Sequence, residues 1–347
     1  MASPSKLITI VGGGLAGLTL GIGLRQRGVP VVLWEKFSYP RHRVCGEFIS
    51  GRGHRVLARM QLNQLFMESG AVVGTKAMFF IGRTSSPPRP VSPAALCFDR
   101  FTMDALLARQ FQQLGGELRE NSAWRGSLEQ EGLVLATGRR RLPVHGGPGW
   151  FGLKIHACNV ELAADVEMHA LDNGYVGLTR LSSGRTNVCG IFRGRSQVSV
   201  PGLGHRMLMG SSETILNRRL LNAEFDQTSF CSIGGISLAP AQASARPECR
   251  LGDALTMVPP VTVNGMSMAF EAAELALEPL SAWSCGSLSW LTARRRVAKH
   301  CDQRFAKRLT WDRYLQWLML TPLLRGKLGA SVLKANWLWN VMFHKTR

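Results

Sequence analysis

A glycine-rich turn near the N-terminus constrains the fold of this chain more than any other feature. Gly12, Gly14 and Gly17 have the spacing G-x-G-x-x-G, after the β-branched residues Ile8, Ile10 and Val11 and before an apolar helical pattern. The first glycine permits a tight turn, the second lets backbone approach a pyrophosphate, and the third allows close packing of helix and strand. The N-terminus of the following helix offers unpaired N–H groups to phosphates. The pattern predicts a dinucleotide site.

An acidic residue closes this unit. Glu35 follows the apolar run 31–34 at the distance expected of a ligand for a ribose 2′-hydroxyl. Because its carboxylate would repel the 2′-phosphate of NADP, Glu35 favours FAD or NAD, and the motif alone does not separate these two. The helix start and the residue after the acid complete the predicted contacts: Leu15, Ala16 and Lys36.

Length and cysteine usage set the broad class. The 347 residues suffice for two domains, each with its own core. Eight cysteines are scattered without a C-x-x-C pair, so neither a zinc site, nor any other metal site, nor a disulfide framework is predicted. The apolar N-terminal run lacks a charged region before it and leads into the glycine turn, so we interpret it as a strand rather than a signal peptide. Scattered thiols then predict a cytoplasmic location.

The net charge of +19 leaves two interpretations open. One is a solvated basic surface. The other is binding to an anionic substrate, an acidic carrier protein or an anionic membrane surface, since such a field attracts polyanions. No zinc finger, RNA-recognition signature or basic zipper accompanies the arginine clusters 139–141 and 294–296, so specific nucleic-acid binding is not expected.

Strand and helix patterns alternate along the chain. Residues 76–82 suggest a strand, 84–93 a proline-rich loop that cannot enter a sheet centre, and 101–114 a helix. Four closely spaced strand patterns then predict an antiparallel sheet with one face open to a ligand: 152–162, 165–171, 174–181 and 185–193. A helix is expected at 211–222, and the last sixty residues have helical patterns.

A second segment also has the features of a cofactor contact. A strand is predicted to end at Gly252, where the Asp253 carboxylate could accept hydrogen bonds from sugar-alcohol hydroxyls. Asn264 and Gly265 begin a predicted helix, with Met266 in its first turn, whose dipole could stabilise the negative charge of a reduced flavin. An ordinary turn and helix cap would explain the same residues.

In this order, the motifs resemble FAD-dependent oxidoreductases of the aromatic-hydroxylase type. The resemblance rests on the fingerprint, Arg100 in the run 98–104, the segment 135–140 and the Gly252–Asp253 stretch. Segments 40–47, 174–178 and 187–189 are more narrowly similar to the geranylgeranyl-reductase-related branch. The likeness covers residues 5–280 and implies a single FAD.

The resemblance implies an α/β FAD-binding Rossmann-type domain with an inserted antiparallel β-sheet substrate domain and a C-terminal helical segment. The FAD domain would comprise residues 1–75, 97–142 and 246–285, the substrate domain 76–96 and 143–245, and a helical lid 286–347. It also implies FAD contacts from Gly12, Gly14, Gly17, Glu35, Arg100 and Asp253, and a segment beside the isoalloxazine that contains Arg43, Cys45, Gly46 and Glu47.

Two departures from the family pattern bear on the chemistry. Thr137–Gly138 stands where the hydroxylases have Asp-Gly, which puts direct use of NADPH in doubt. With one complete glycine fingerprint, NAD(P)H would dock transiently, or electrons would come from an external reductant. The Trp-x-Trp-x-Ile-Pro signature and partner lysine of flavin halogenases are missing, so halogenation is not expected.

Three residues are candidate catalytic groups, each with a structural alternative. Arg41 and Arg43 are expected to lower the pKa of Cys45, which could donate a proton after hydride transfer; the alternative is a small residue that shapes the pocket. Glu47 could anchor flavin or substrate or act as a general acid, or form a salt bridge with Arg43. Tyr175 could donate a hydrogen bond to a substrate carbonyl or pack in the core.

The segment 311–343 is rich in Trp, Leu and Met with interleaved basic residues: Arg313, Arg325, Lys327 and Lys334. It contains no charge-free apolar run of membrane-spanning length, so we expect a lid over the substrate cleft or a basic amphipathic surface on an anionic membrane.

The sequence as a whole predicts an FAD-dependent oxidoreductase acting on a hydrophobic molecule of isoprenoid, polyketide or lipid-like type. The flavin would transfer hydride to a double bond or support oxygenation by a hydroxylase or epoxidase. Two alternatives are a basic nucleic-acid-binding protein on a nucleotide-binding scaffold, and a membrane-peripheral flavoprotein that reduces a lipid quinone.

Overall fold

Two sheets and a set of helices make up the computed structural model, which describes residues 5–139, 149–194, 202–236, 242–256 and 264–320 with 333, 335 and 336. The strands in chain order are β1 (Ile8–Val11), β2 (Val31–Trp34), β3 (Phe48–Ile49), β4 (Val72–Ile81), β5 (Thr84–Ser85), β6 (Arg89–Cys97), β7 (Glu117–Arg119), β8 (Leu133–Leu135), β9 (Gly149–Cys158), β10 (Val166–Leu171), β11 (Gly174–Arg180), β12 (Thr186–Gly194), β13 (Glu224–Ile236) and β14 (Cys249–Arg250). The helices are α1 (Leu15–Gln26), α2 (Arg52–Arg59), α3 (Leu62–Glu68), α4 (Arg100–Gln113), α5 (Leu203–Met209), α6 (Ile215–Leu220), α7 (Gly265–Ser284) and α8 (Trp290–Leu320).

The smaller sheet is the predicted nucleotide unit. Its strand order is β14-β8-β1-β2-β7, with all pairs parallel. Helix α1 connects β1 to β2 and is buried along most of its length, between the sheet and helices α4 and α7. Parallel strands joined by a crossover helix place the turn after β1 at the carboxyl edge of the sheet, where open α/β folds bind ligands.

The larger sheet has nine strands and carries the predicted antiparallel region. Its order is β13-β9-β12-β11-β10-β4-β6-β3, and β5 pairs with β4. Strands β9 to β12 confirm the four predicted strands and pair antiparallel, whereas β10 and β4 pair in parallel. Side chains alternate between two faces. The outer face packs under α5 and α6 around a core that includes Leu153, Ile155 and Val188; the inner face is turned toward the segment 42–48.

The prediction that residues 84–93 stay outside a sheet is wrong. Strand β6 contains Pro90 and Pro93 and lies between β4 and β3. The sheet accommodates both prolines because β3 pairs only with Leu96 and Cys97, so no β3 carbonyl needs a donor at either proline. On the other side, a register shift between Gly74 and Lys76 spans residues 91–94.

Other element boundaries differ by a few residues. The helix predicted at 211–222 is shortened to α6, because Thr214 caps its N-terminus by accepting a hydrogen bond from the Asn217 N–H at 3.2 Å. The strand predicted to end at Gly252 ends at Arg250, and a short 3-10 turn, Gly252–Ala254, follows. Helices α4 and α7 confirm the helices predicted at 101–114 and from Gly265.

Helix α8 opens the predicted C-terminal helical segment. Its first half packs on α7 through Val297, Cys301 and Phe305, whereas Tyr314 and Trp317 are exposed. Further along, the guanidinium of Arg89 donates hydrogen bonds to the Leu333 carbonyl and the Asn336 side chain, so this part of the tail reaches β6. Residues 321–332 and 337–347, with Lys334, lie outside the described residues, and this includes Arg325 and Lys327. The described helices include none with the length and apolarity to cross a bilayer.

Candidate active site

The glycine turn has the geometry that its spacing predicts. Gly12 has φ +108°, and a Cβ there would lie 2.3 Å from the Ala136 carbonyl oxygen. A Cβ on Gly17 would lie 2.0 Å from the Gly12 carbonyl oxygen, so this glycine permits the close contact of helix and turn. Gly14 faces open space, with no atom within 4 Å of its Cβ position. Open space above Gly14 at the start of α1 suits a pyrophosphate, and the turn therefore fits FAD.

Glu35 also has a structural role that the sequence did not reveal. Its buried carboxylate accepts the Gly13 N–H at 2.7 Å and the Phe37 N–H at 3.0 Å, and lies 3.4 Å from Arg41 and 3.9 Å from Arg43. Three of these contacts are hydrogen bonds, from Gly13, Phe37 and Arg41, so one of the about four acceptor positions of the carboxylate is left for a ribose hydroxyl. Lys36, by contrast, is exposed and lies over Phe37.

Tyr39 is a further constraint on the turn that the sequence analysis missed. Its hydroxyl donates to the Gly13 carbonyl oxygen at 2.5 Å, and a Cβ on Gly13 would collide with it. Burial, assisted by the charge of Glu35, raises the pKa of Tyr39, so the hydroxyl remains a donor. The Tyr39 hydroxyl therefore fixes Gly13, which lies between the fingerprint glycines Gly12 and Gly14.

The second predicted cofactor segment lies against the first. The Cβ position of Gly252 is 3.0 Å from the Ala16 side chain, which brings the turn after β14 to the start of α1. The accessible carboxyl of Asp253 is within electrostatic range of Arg100 and Arg139. Gly265 starts α7 with open space at its Cβ position, and Met266 is buried in the helix core. Their contacts with FAD remain predictions.

Asp104 holds two of the predicted arginines. Arg100 forms a two-pronged ion pair with Asp104, at 2.8 and 2.9 Å, and Arg43 reaches the same carboxylate at 2.8 Å. Burial alone would lower the pKa of Arg100, but Asp104 and Cys45 raise it above its ordinary value. The Asp104 carboxylate thereby positions both guanidinium groups beside the segment 43–47, and Arg100 remains charged.

A buried charged group lies where this segment meets the sheet. We call Glu47, Lys154, His156 and His42 the inner cluster. The Glu47 carboxylate accepts the Arg100 backbone N–H at 3.0 Å and lies 3.3 Å from Lys154 Nζ and 2.8 Å from His156 Nε2. Lys154 Nζ in turn lies 3.2 Å from His42 Nδ1. Glu47 and Lys154 are fully buried, so their charges are compensated by each other rather than by water.

The backbone of residues 45–47 is fixed at every carbonyl. Asn187 Nδ2 donates to the Cys45 oxygen at 2.9 Å, Thr179 Oγ1 to the Gly46 oxygen at 2.8 Å, and the Phe98 N–H to the Glu47 oxygen at 3.1 Å. Glu47 has φ +55°, an uncommon conformation for a residue other than glycine. Such local strain persists only where surrounding contacts enforce it, and it clusters at functional sites.

The structure corrects two predictions about this segment. Burial raises the pKa of the Cys45 thiol, and Arg100 opposes this effect; Arg41 and Arg43 do not lower it as expected, because they pair with Glu35 and Asp104. The alternative pairing of Glu47 with Arg43 is also wrong, since Glu47 is bound by Lys154 and His156. The catalytic roles of Cys45 and Glu47 stay predictions.

Tyr175 lies on the inner face in an apolar patch. The patch combines Tyr175 with Met168, Ile191 and Ile236, and with the partly buried Phe79, Trp150 and Ile233. The Tyr175 hydroxyl is buried and has no hydrogen-bond partner within the described residues, and burial raises its pKa well above the ordinary value. The side chain thus packs in a core, which was one of the two alternatives. Its hydroxyl is also free to donate a hydrogen bond to a ligand carbonyl, which was the other.

Lys154 and His156 are two further site residues that sequence reasoning missed. They alternate with the buried Leu153, Ile155 and Ala157 along β9, a pattern typical of a strand with one solvated face. Their face is instead covered by the segment that contains Glu47. A lysine and a histidine on one face of a strand were the only signal of a site in the sequence. The sequence does not show that the segment containing Glu47 covers that face.

Comparisons with known proteins agree with this geometry. Residues 10–58 match the family model described as NAD(P)-binding Rossmann-like domain. Rifampicin monooxygenase of Streptomyces venezuelae is 32% identical over 127 residues, 36% of this chain and 26% of that protein, so the chain matches about a quarter of the length of this curated relative.

Solved structures resemble the chain over nearly its whole length. The myxobacterial chondrochloren halogenase CndH, described as FAD-dependent, has a TM-score of 0.73 at 18% identity, with 99% of this chain and 91% of that chain covered. A geranylgeranyl bacteriochlorophyll reductase-like protein from Thermoplasma acidophilum has a TM-score of 0.70 at 15% identity, with 98% and 96% covered. This chain has the FAD-oxidoreductase fold.

The predicted fold class and the resemblance to the FAD-dependent oxidoreductase superfamily are therefore confirmed. The comparisons also support an enzyme with FAD as its cofactor. At 18% identity or less, the likeness to halogenases and to the reductase-like protein shows a shared fold but does not show a shared reaction.

Proposed function

We propose that the protein is an FAD-dependent oxidoreductase that acts on a hydrophobic small molecule of isoprenoid, polyketide or lipid-like type. The observation that carries this proposal is the inner cluster, which lies where the nucleotide domain meets the sheet and beside the apolar patch around Tyr175. A buried acid–base group next to an apolar surface suits proton transfer to a substrate that water does not solvate.

FAD, when bound, supplies hydride transfer or, once reduced, reaction with O2. The chain supplies the rest. Gly12, Gly14 and Gly17 would receive the pyrophosphate, and Glu35 a ribose. The apolar patch would hold the substrate, with the Tyr175 hydroxyl as donor to a carbonyl. The proton would come from the inner cluster, in which Glu47 and His156 share a hydrogen bond of 2.8 Å, or from the neutral Cys45 thiol.

Hydride transfer to a double bond is the reaction we favour. The inner cluster supplies what such a reduction needs after hydride transfer, a proton donor held away from bulk water. The second candidate is oxygenation by a hydroxylase or epoxidase, which the likeness to rifampicin monooxygenase favours. The electron donor, NAD(P)H or an external reductant, is common to both.

The flavin spectrum of the purified protein is the first test. We expect a yellow protein, or one that gains a bound-flavin spectrum on addition of FAD; a colourless protein without FAD affinity would refute the proposal and favour the nucleic-acid-binding alternative. Reduction with dithionite under nitrogen, followed by addition of hydrophobic molecules extracted from the protein, then separates the two reactions. A reductase forms product without oxygen, whereas a monooxygenase does not.

Partners and location are part of the proposal. The charge of +19 supports an anionic partner, such as an acidic carrier protein or a membrane surface, for an enzyme that works in the cytoplasm or at the membrane periphery. Flotation with anionic and neutral liposomes tests the membrane partner: retention by both or by neither at physiological salt argues against an electrostatic membrane surface.

A further inference from the structure

A second concentration of charge lies outside the predicted active site. Helices α2, α7 and α8 enclose a cavity of about 430 Å³ with four lining arginines: Arg52, Arg55, Arg59 and Arg304. Its other lining residues include Glu271 and Glu274 on α7 and Ser92 and Pro93 on β6. None of these residues is a predicted FAD contact. We call this cavity the arginine cavity.

The acidic residues of the arginine cavity are already paired. Glu274 forms a two-pronged pair with Arg59, at 2.5 and 2.7 Å. Glu271 forms another with the buried Arg308, just behind the lining, at 2.7 and 3.1 Å. The two carboxylates are thus bound by Arg59 and Arg308. Neither forms an ion pair with the other three lining arginines: Arg52, Arg55 and Arg304.

Arg52, Arg55 and Arg304 are exposed residues that line one cavity, and none of them has an ion pair or hydrogen bond within the described parts of the chain. Burial and the nearby charges of Arg304, Arg308 and Arg55 lower the pKa of Arg52, while Glu271 opposes them. The cavity lining therefore has more arginines than carboxylates, four against two. Solvent screens part of the repulsion between these exposed groups, and the local excess of positive charge attracts an anion.

The chemistry of the lining defines the ligand. Guanidinium groups match phosphate oxygens with two parallel hydrogen bonds, and three of them exceed what one carboxylate needs. A cavity of this volume is in the range of small-molecule sites. We propose that the arginine cavity binds a phosphate-bearing anion of diphosphate size, either free or as the phosphate group of a larger molecule.

Inorganic pyrophosphate is the probe for this site. We expect it to bind the purified protein in calorimetry and to raise the melting temperature, whereas acetate at equal ionic strength does neither. Arg52→Gln and Arg304→Gln should each weaken binding at least tenfold. Arg295→Gln is the matched control, since Arg295 is an exposed arginine on α8 that does not line the cavity; it should bind as the wild type does.

A second measurement needs no variant. Pyrophosphate should protect Arg52, Arg55 and Arg304 from phenylglyoxal in the wild-type protein, as read by peptide mass spectrometry, and leave Arg295 reactive. The proposal is overturned if the wild type does not bind pyrophosphate, if the three variants bind it equally, or if protection falls elsewhere. Because the glycine turn is itself a predicted pyrophosphate site, each measurement is made on protein saturated with FAD, whose predicted contacts include no lining residue of the arginine cavity.

Vesicles distinguish the source of the phosphate. If phosphatidylglycerol vesicles retain the protein, and pyrophosphate or Arg304→Gln releases it, the phosphate belongs to a lipid headgroup. Pyrophosphate binding without retention on vesicles indicates a soluble ligand.

Discussion

The large sheet buries a Glu–His–cation group on each of its two faces, and the two groups differ in what holds them. The inner cluster joins Glu47, from the segment before β3, to Lys154 and His156 on β9. On the outer face, Glu167 pairs with His169 on the same strand at 3.0 Å and with Arg219 of α6 at 3.2 Å. We call these three residues the outer cluster.

The outer cluster is saturated by local contacts. Glu167 also accepts the Ala163 N–H at 2.6 Å, and His169 stacks on Phe80 with ring centroids 4.4 Å apart. Among the described residues, it contributes none of the buried polar atoms without a partner. The inner face contributes three such atoms, His156 Nδ1, Asn187 Oδ1 and the Tyr175 hydroxyl. Buried groups with spare hydrogen-bonding capacity are available to a ligand or to ordered water.

Removal of the cation should separate the clusters most strongly. Lys154→Met leaves Glu47 fully buried beside His156 and should cost about 3–5 kcal/mol of unfolding free energy. Arg219→Met should cost about 1 kcal/mol or less, because Arg219 is partly exposed and Glu167 keeps His169 and Ala163. Urea unfolding measures both. Equal losses would show that the two clusters are energetically alike.

Neutralising the acid should separate their roles in catalysis. Glu47→Gln keeps the size of the side chain but impairs proton transfer, so reoxidation of the reduced flavin by its organic acceptor should slow about 10²-fold or more. Glu167→Gln should leave that rate unchanged. Stopped-flow absorbance follows the reaction, with FAD content as the control for folding. If both variants react at the wild-type rate, Glu47 is not part of the proton path.

The pH dependence of stability should come more from the outer cluster. Burial lowers the pKa of His169 below its ordinary value of about 6.5, so the unfolded chain takes up a proton first as pH falls. The unfolding free energy therefore decreases below about pH 6.5, by at most about 1.4 kcal/mol per pH unit for this group. His169→Phe should remove much of that slope between pH 6.5 and 5.

His42 of the inner cluster gives the matched measurement. Burial and the charge of Lys154 also lower its pKa, but His42 is only partly buried. His42→Phe should therefore flatten the same curve less than His169→Phe does. The opposite order in chemical denaturation at several pH values would assign the slope to the inner face.

The smallest expected effect concerns thiol reactivity beside the inner cluster. Burial raises the pKa of Cys45, whereas hydrogen bonds from Ser287 lower the pKa of the exposed Cys285. Iodoacetamide at pH 7.5 should therefore modify Cys285 first and Cys45 slowly, as quantified by peptide mass spectrometry with Cys285→Ser as control. Faster modification of Cys45 would mean that its thiol is ionised, as the sequence suggested.

The sequence predicts the nucleotide unit well because its information is local. Gly12 and Gly17 are each required by a contact a few residues away or with the adjacent strand, Gly14 leaves open space above the turn, and the spacing of all three is visible in the sequence. The four antiparallel strands follow from short-range alternation in the same way. The domain boundaries stay predictions.

The inner cluster could not be predicted in the same way, because Glu47 and His156 are 109 residues apart. Neither residue shows in its own neighbourhood that the other will bury it. The predicted direction of the Cys45 pKa shift was wrong for a related reason. Arg41 and Arg43 are close to Cys45 in the sequence and were expected to act on its thiol, but carboxylates farther along the chain bind them. The prediction of a loop at 84–93 was wrong because strand β6 depends on another part of the chain. The short β3 leaves Pro90 and Pro93 without a pairing partner on that side, and the local sequence does not show this.

The three carbonyl contacts of residues 45–47 have a consequence for how such a protein can diversify. The position of the acid is set by two side chains, Thr179 and Asn187, that are direct neighbours across β11 and β12. The seven residues of the apolar patch lie on the same face of the sheet, on strands from β13 to β4, but make none of these contacts. If the proposed function holds, substitutions in the patch would alter the shape of the molecule that is accepted while the geometry of proton transfer is inherited unchanged.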